Sequence, residues 1–265
     1  MKKARIYILL ILFISLLVIY FKFDTIRYTF ERSRLKKFNP VVLANQKDFK
    51  PDIFGSNVPK IWPRRVNSID RLRILLNDFN AFECDIYYHP ELNYFDVGHE
   101  PEESIGLSLE TYFKEPGTEL KYFWLDLKNL DSIDVDKIIT LLNTLDKKYN
   151  IKKRVLVEST NTVPLRKVAD AGFFTSYYIP LYDSAVFKSV DIYADSIKKN
   201  FFPGMMAISQ SVETIEKVAS AFPGKTKLAF SLSRMLTINH SRLEKLYTQP
   251  DIKIILVTVE TSNYR

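Results

Sequence analysis

From residue 60 onward the chain repeats one unit: a short β-branched or aromatic run, then an amphipathic segment. Candidate strands fall at 60–66, 80–87, 121–127, 153–159, 173–179, 205–209, 226–232 and 252–259. Helix-like segments lie between them, near 68–77, 108–114, 134–148, 163–171, 186–200, 211–221 and 239–248. Ser68, Ser108, Asp134 and Ser211 stand where capping side chains open several of these. Strands that alternate with helices build a parallel sheet covered by helices. Eight strands and seven helices make the α/β pattern of a (β/α)8 TIM-type barrel, short for that fold, with little chain left for a last helix. An open doubly wound sheet is the competing architecture.

The segments ahead of this pattern have a different character. A basic start is followed by an uncharged apolar run from Ile6 to Phe21, then Lys22, Phe23 and Asp24. No small-residue cleavage site follows the run, so residues 1–23 read as an uncleaved signal anchor, one N-terminal transmembrane helix. Lys3, Arg5 and Lys22, with Tyr7 and Tyr20, would extend a slightly short span into the interfaces. The basic residues after the run favour a cytoplasmic C-terminus, whereas the very short N-terminal tail favours a domain outside. The expectation is a single-pass membrane protein with an extracytoplasmic domain. Residues 24–59 are polar and basic, with Pro40, Pro51 and Pro59, and read as a stalk. The barrel is residues 60–265.

A chain of 265 residues, 46% hydrophobic, can bury one large core and still carry these extras. Much of the net charge of +7 lies before residue 38, and no basic stripe with interleaved aromatics follows, which argues against a nucleic-acid partner. The one cysteine, Cys84, sits in a candidate core strand and reads as a packing residue.

In a barrel of this kind, chemistry gathers where strands end and loops to the helices begin. Strand one ends in Arg64, Arg65 and Asn67. Strand two carries Glu83 and Asp85, two apart and so on one face. Paired carboxylates inside a core repel and are costly to desolvate. A divalent cation, Mg²⁺ or Ca²⁺, relieves both problems. Strand three ends in Asp126 and Lys128, again on one face; strand four ends in Glu158, strand six in Ser209 and Gln210, and strand eight in Glu260. His99 follows the Glu83/Asp85 pair within the same loop, where a histidine could protonate a leaving alkoxide. His89 reads as a loop residue and His240 as a helix-start residue. No G-x-S-x-G, Walker A loop or zinc-type cysteine pair is present. A TIM-barrel glycoside hydrolase remains a rival, with Glu158 paired with Glu83 or Glu260.

The segments "RRVNS", "ECD", "GHE" and "LDLK", in this order over residues 60–130, resemble the phospholipase-C-like phosphodiesterase superfamily of TIM barrels. Its glycerophosphodiester phosphodiesterases have an HRG-type motif, an E-x-D pair, a loop histidine and an acidic-x-K element. Its menorin-like branch is similar, with a histidine and an asparagine-serine pair, then E-x-D, a histidine-proline loop and L-D-F-K. The resemblance implies a phosphoric diester hydrolase acting on glycerophosphodiester or phospholipid-type substrates, with lipid headgroups among the ligands. It implies Glu83, Asp85 and Asp126 as metal ligands, His99 as general acid, Arg65 and Lys128 on the phosphate, Asn67 orienting substrate or metal, and Glu158 as a further candidate. Arg64 departs from it, standing where the family has its first catalytic histidine. An arginine keeps its proton through the useful pH range, but can bind phosphate. The alternative is therefore a catalytically degenerate barrel that binds a phosphorylated headgroup or glycan.

Overall fold

The computed structural model describes residues 60–119, 121–234 and 240–259, together with four helical positions, Tyr7, Ile11, Phe13 and Ser15. The expected anchor (residues 1–23, those four positions aside), the stalk and Glu260 lie outside the described residues. Among the described residues no helix is long and apolar enough to cross a membrane.

Among the described residues nine strands form one curled sheet: β1 (Ile61–Pro63), β2 (Ala81–His89), β3 (Tyr94–Val97), β4 (Tyr122–Leu127), β5 (Val155–Ser159), β6 (Phe174–Tyr178), β7 (Ala207–Ser211), β8 (Thr226–Arg234) and β9 (Ile252–Thr258). Their order is β1-β9-β8-β7-β6-β5-β4-β2-β3. Every pairing is parallel except β2 with β3. The helices are α1 (Ile69–Leu76), α2 (Leu109–Lys114), α3 (Val135–Tyr149), α4 (Thr162–Asp170), α5 (Val190–Lys198), α6 (Val212–Val218) and α7 (His240–Thr248). The alternation in the sequence is thus the alternation in space, as an α/β barrel-like fold.

Several details differ from expectation. The first strand stops at Pro63 rather than running to residue 66. The Arg64 amide still bonds Val257 O, but Arg65 turns left-handed at φ 53° and the chain leaves the sheet. A ninth strand, β3, folds back on β2, and His89 is the last residue of β2, paired with Tyr94, rather than a loop residue. Ser68, Ser108 and Ser211 each accept the amide three residues on, as capping side chains do. Asp134 makes no such bond; its Oδ1 accepts from the Lys137 ammonium instead.

Strand alternation sorts the core into two layers. Phe82, Cys84 and Ile86 point out into the layer under the helices. Trp62, Trp124, Leu156, Leu228 and Ile254 fill the barrel's interior, so the lower barrel is plugged by side chains. Lys60 closes that end. Its fully buried ammonium donates to the carbonyls of Leu246, Tyr247 and Gln249, at 2.6–2.8 Å, where α7 ends. Three acceptors need three N–H donors, which the ammonium form supplies, and a cation suits a helix C-terminus.

Lys60→Met leaves those carbonyls without their donor. The expected loss is about 3 kcal/mol, read as a lower urea midpoint at unchanged slope.

Candidate active site

The carboxylates expected to meet do meet. Glu83 and Asp85 on β2 and Asp126 on β4 face the barrel's interior, with Asp85 and Asp126 opposite one another in register. One carboxylate oxygen from each lies within 4.8 Å of the others. Two oxygens bound to a common Mg²⁺ or Ca²⁺ are separated by up to about 4–5 Å, so the cluster fits a hard divalent cation.

The loop after β1 is built around these acids. The Arg65 amide donates to Glu83 Oε2 at 2.6 Å, and the Val66 amide to Glu83 O at 2.9 Å. Asn67 pairs reciprocally with Asp85: its Nδ2 donates to Oδ2 at 2.8 Å, and its Oδ1 accepts the Asp85 amide at 3.0 Å. Arg71 Nη2 donates to Arg64 O and Val259 O, and the Tyr112 hydroxyl to Val66 O. Lys128 Nζ bridges Asp85 Oδ1 at 2.7 Å and Asp126 Oδ2 at 2.5 Å.

Burial dominates the electrostatics. It pushes the Glu83 carboxyl up to about 8, helped by the Asp85 charge and opposed by Arg64. Burial also acts on Asp85, but the Lys128 ammonium and the Asn67 amide outweigh it and hold Asp85 below the usual carboxylate range. Asp126 is raised by burial, with Lys128 opposing. Lys128 is held above the ordinary lysine value, because Asp126 and Asp85 together overcome its own desolvation. Glu158 is raised well above the usual range, first by burial and then by Asp126.

Glu83 and Asp126 open into a pocket of about 270 Å³. Arg64, Arg65, Lys128, His99 and Glu158 line it with Trp124, Tyr178 and Phe230. His99 reaches the pocket through a loop anchored by the Gly98 amide on Asp85 O, and its Nδ1 lies 3.5 Å from Glu100 Oε1. Arg64 does not point freely at the acids. Its Nη1 donates to Ser231 O at 3.2 Å, and its guanidinium sits 5.4 Å from the Phe230 ring centre. Gln210 turns away from the interior and is consumed by Ile179 O and the Ser211 amide. Sequence reasoning did not single out Trp124, although it shares the inward parity of Asp126, nor Tyr178 or Ser176, whose strand carried no candidate.

No family model and no curated protein matches this sequence. Solved structures do match. A glycerophosphodiester phosphodiesterase from Parabacteroides distasonis is 16% identical with a TM-score of 0.53, over 76% of this chain and 92% of that one. A phosphodiesterase from Oleispira antarctica, in complex with the product sn-glycerol-3-phosphate, is 12% identical with a TM-score of 0.52, over 77% and 94%. A glycerophosphodiester phosphodiesterase from Thermotoga maritima is 12% identical with a TM-score of 0.51, over 76% and 94%. The fold of this chain is therefore the barrel of the solved glycerophosphodiester phosphodiesterases.

Lys128→Met strips the partner from two buried acids. In chelator it should cost about 3 kcal/mol. Saturating Mg²⁺ or Ca²⁺ should recover much of this, since a ligand at a hundred times its Kd adds about 2.7 kcal/mol. Thermal unfolding with and without the ion measures both.

Proposed function

We propose that this chain is a metal-assisted phosphoric diester hydrolase, anchored to a membrane by residues 1–23 with its barrel on the outside. The substrates are glycerophosphodiester or phospholipid-type diesters. One observation carries the reading: three carboxylates lie within 4.8 Å of one another, and two of them, Glu83 and Asp126, line a pocket with a lysine, two arginines and a histidine. The shared fold, and the glycerol phosphate product held by the Oleispira protein, support a small phosphodiester ligand.

Glu83, Asp85 and Asp126 would hold a Mg²⁺ or Ca²⁺ ion, which polarises a phosphoryl oxygen when bound. Lys128 and Arg65 hold the phosphate's remaining charge, and Asn67 keeps Asp85 oriented through its paired hydrogen bonds. Water adds across one P–O ester bond. The leaving alkoxide takes a proton from His99, and the proton released by water restores it, so the products are a monoester and an alcohol. Arg64 cannot exchange a proton, but it can stabilise charge developing on phosphorus-bound oxygens.

Arg64 also favours a second reading. Its guanidinium is already engaged by Ser231 O and Phe230, at the position where the resembling enzymes carry a histidine. On that reading the barrel only binds a phosphorylated headgroup or glycan. The glycoside hydrolase reading keeps Glu83 and Glu158 in one pocket, but the matched folds are those of phosphodiesterases.

The full chain in detergent should hydrolyse a glycerophosphodiester with Mg²⁺ or Ca²⁺ and stop on chelation. His99→Ala should lower the rate on the order of 10²–10⁴-fold. An inert wild type with an active Arg64→His variant would establish the binding-only reading. Turnover unchanged by chelator and by Glu83→Gln would place the chemistry elsewhere.

A further inference from the structure

A second hollow, of about 500 Å³, lies at the opposite end of the strands from the acids. Its walls are the loops that lead into β8 and β9 and the first residues of those strands. Lys225, Lys227 and Lys253 line it, and Asp251 is the one acid in its lining. The bonds of the fold hold these ammonium groups in place. Lys227 is buried and donates to Asp251 Oδ2 at 2.5 Å and to Lys225 O at 3.3 Å. Lys225 donates to Met205 O at 3.1 Å and lies 5.2 Å from the Phe201 ring centre. The loop that carries Phe201 adds an exposed Lys199 and no acid.

Positive charge is therefore under-compensated at this end. Lys60, beside the hollow, feels it: burial above all, and then the Lys253 charge, pushes its ammonium down to about 7, with Asp251 opposing. The other end of the barrel has the opposite sign. Glu91, Glu100, Glu102, Glu103, Asp131 and Asp183 stand exposed in its loops, where Arg65 and Lys188 are the exposed cations among the described residues.

Two further features say what meets the basic end. None of the large apolar side chains that stand exposed lies in the loops 199–206, 219–225 or 249–251. A protein interface is built around buried aromatic and apolar anchors, which these loops do not offer. A lysine is a point charge without a guanidinium's fixed fork, so it tolerates many orientations of a phosphate. The second feature is connectivity. Residues 24–59 join the barrel at Lys60, which bonds Gln249 O next to the hollow. An anchor on residues 1–23 would thus deliver this end, rather than the acid-rich end, to the membrane surface.

We propose that the lysine-lined hollow docks on the anionic headgroups of a bilayer. The inference takes from the proposed function only the anchor, which supplies a bilayer nearby, and nothing of the hydrolase chemistry. Docked this way, the barrel turns its acid pocket away from the membrane, so ligands reach that pocket from the aqueous side.

The full chain, reconstituted into vesicles of phosphatidylcholine alone or mixed with phosphatidylglycerol, tests this. Ser220→Cys places a fluorophore at the hollow and Ser132→Cys places one at the acid-rich end, while the native Cys84 is buried. A nitroxide on the lipid headgroups quenches whichever label lies at the surface. The Ser220 position should be quenched when phosphatidylglycerol is present, and the Ser132 position should not. Salt at about 1 M, where the screening length is about 3 Å, should release it. Lys199→Gln with Lys253→Gln should weaken docking roughly twentyfold, at about fivefold per lysine near an anionic surface. Quenching at the Ser132 position, quenching indifferent to lipid charge, or docking that survives both substitutions and salt overturns the surface. A response of the Ser220 label to inorganic phosphate in detergent, without any dependence on lipid charge, makes the hollow a free-anion site and also overturns it. Flotation separates this inference from the anchor. A chain that floats with neutral vesicles but ignores phosphatidylglycerol keeps the anchor and loses the surface. One that floats only with anionic vesicles, and not after both substitutions, keeps the surface and loses the anchor.

Discussion

Three carboxylates side by side inside a barrel are the constraint on which the rest depends. Burial and mutual repulsion both oppose charge on Glu83 and Asp126, and burial opposes it on Asp85. Lys128 answers part of the problem by bridging Asp85 and Asp126. Glu83 has the Arg65 backbone amide as its hydrogen-bond partner and a carboxyl raised to about 8. A buried acid with no ammonium or guanidinium bonded to it is the strongest argument for a second cation.

The same acids help to close the sheet. β1 has only three residues and pairs with β9, so β2 meets it through the loop that follows. That seam is made by the Val66 amide on Glu83 O, the Arg65 amide on the Glu83 carboxylate, and the Asn67–Asp85 pair. Arg65 accepts a left-handed backbone there, a conformation that costs an ordinary residue about 1–2 kcal/mol. Site and closure are one structure, so changes at Glu83 or Asp85 act on stability as well as on any ligand.

Much of this was legible in the chain's order of residues. Alternation gave the barrel because the period of two along a strand and the amphipathic segments between strands are local signals. The E-x-D spacing placed Glu83 and Asp85 on one face by the same rule, and Asp126 and Lys128 likewise. What escaped depended on tertiary partners. The β3 run, Tyr94–Val97, is short and becomes a strand only by pairing with an overlong β2. Asp134 sits at a helix start, but its carboxylate is taken by the Lys137 ammonium. Ser176 is one small residue in an aromatic strand, and it gains meaning only when Glu158 and Ser209 are known to flank it. Arg64 was visible as a departure, but its capture by Ser231 O and Phe230 was not.

The fold places this chain with the solved glycerophosphodiester phosphodiesterases in shape, and the pocket supplies the reason to take the likeness further. Arg64, Arg65 and Lys128 line that pocket beside Glu83 and Asp126, a charged side suited to phosphate. Everything on the charged side turns on whether the acids hold an ion. Calorimetric titration of Mg²⁺ and of Ca²⁺ into the full chain and into Glu83→Gln measures that directly. The account predicts one saturable site per wild-type chain, weakened at least tenfold in Glu83→Gln. No saturable binding, or equal affinity in the two proteins, would contradict it.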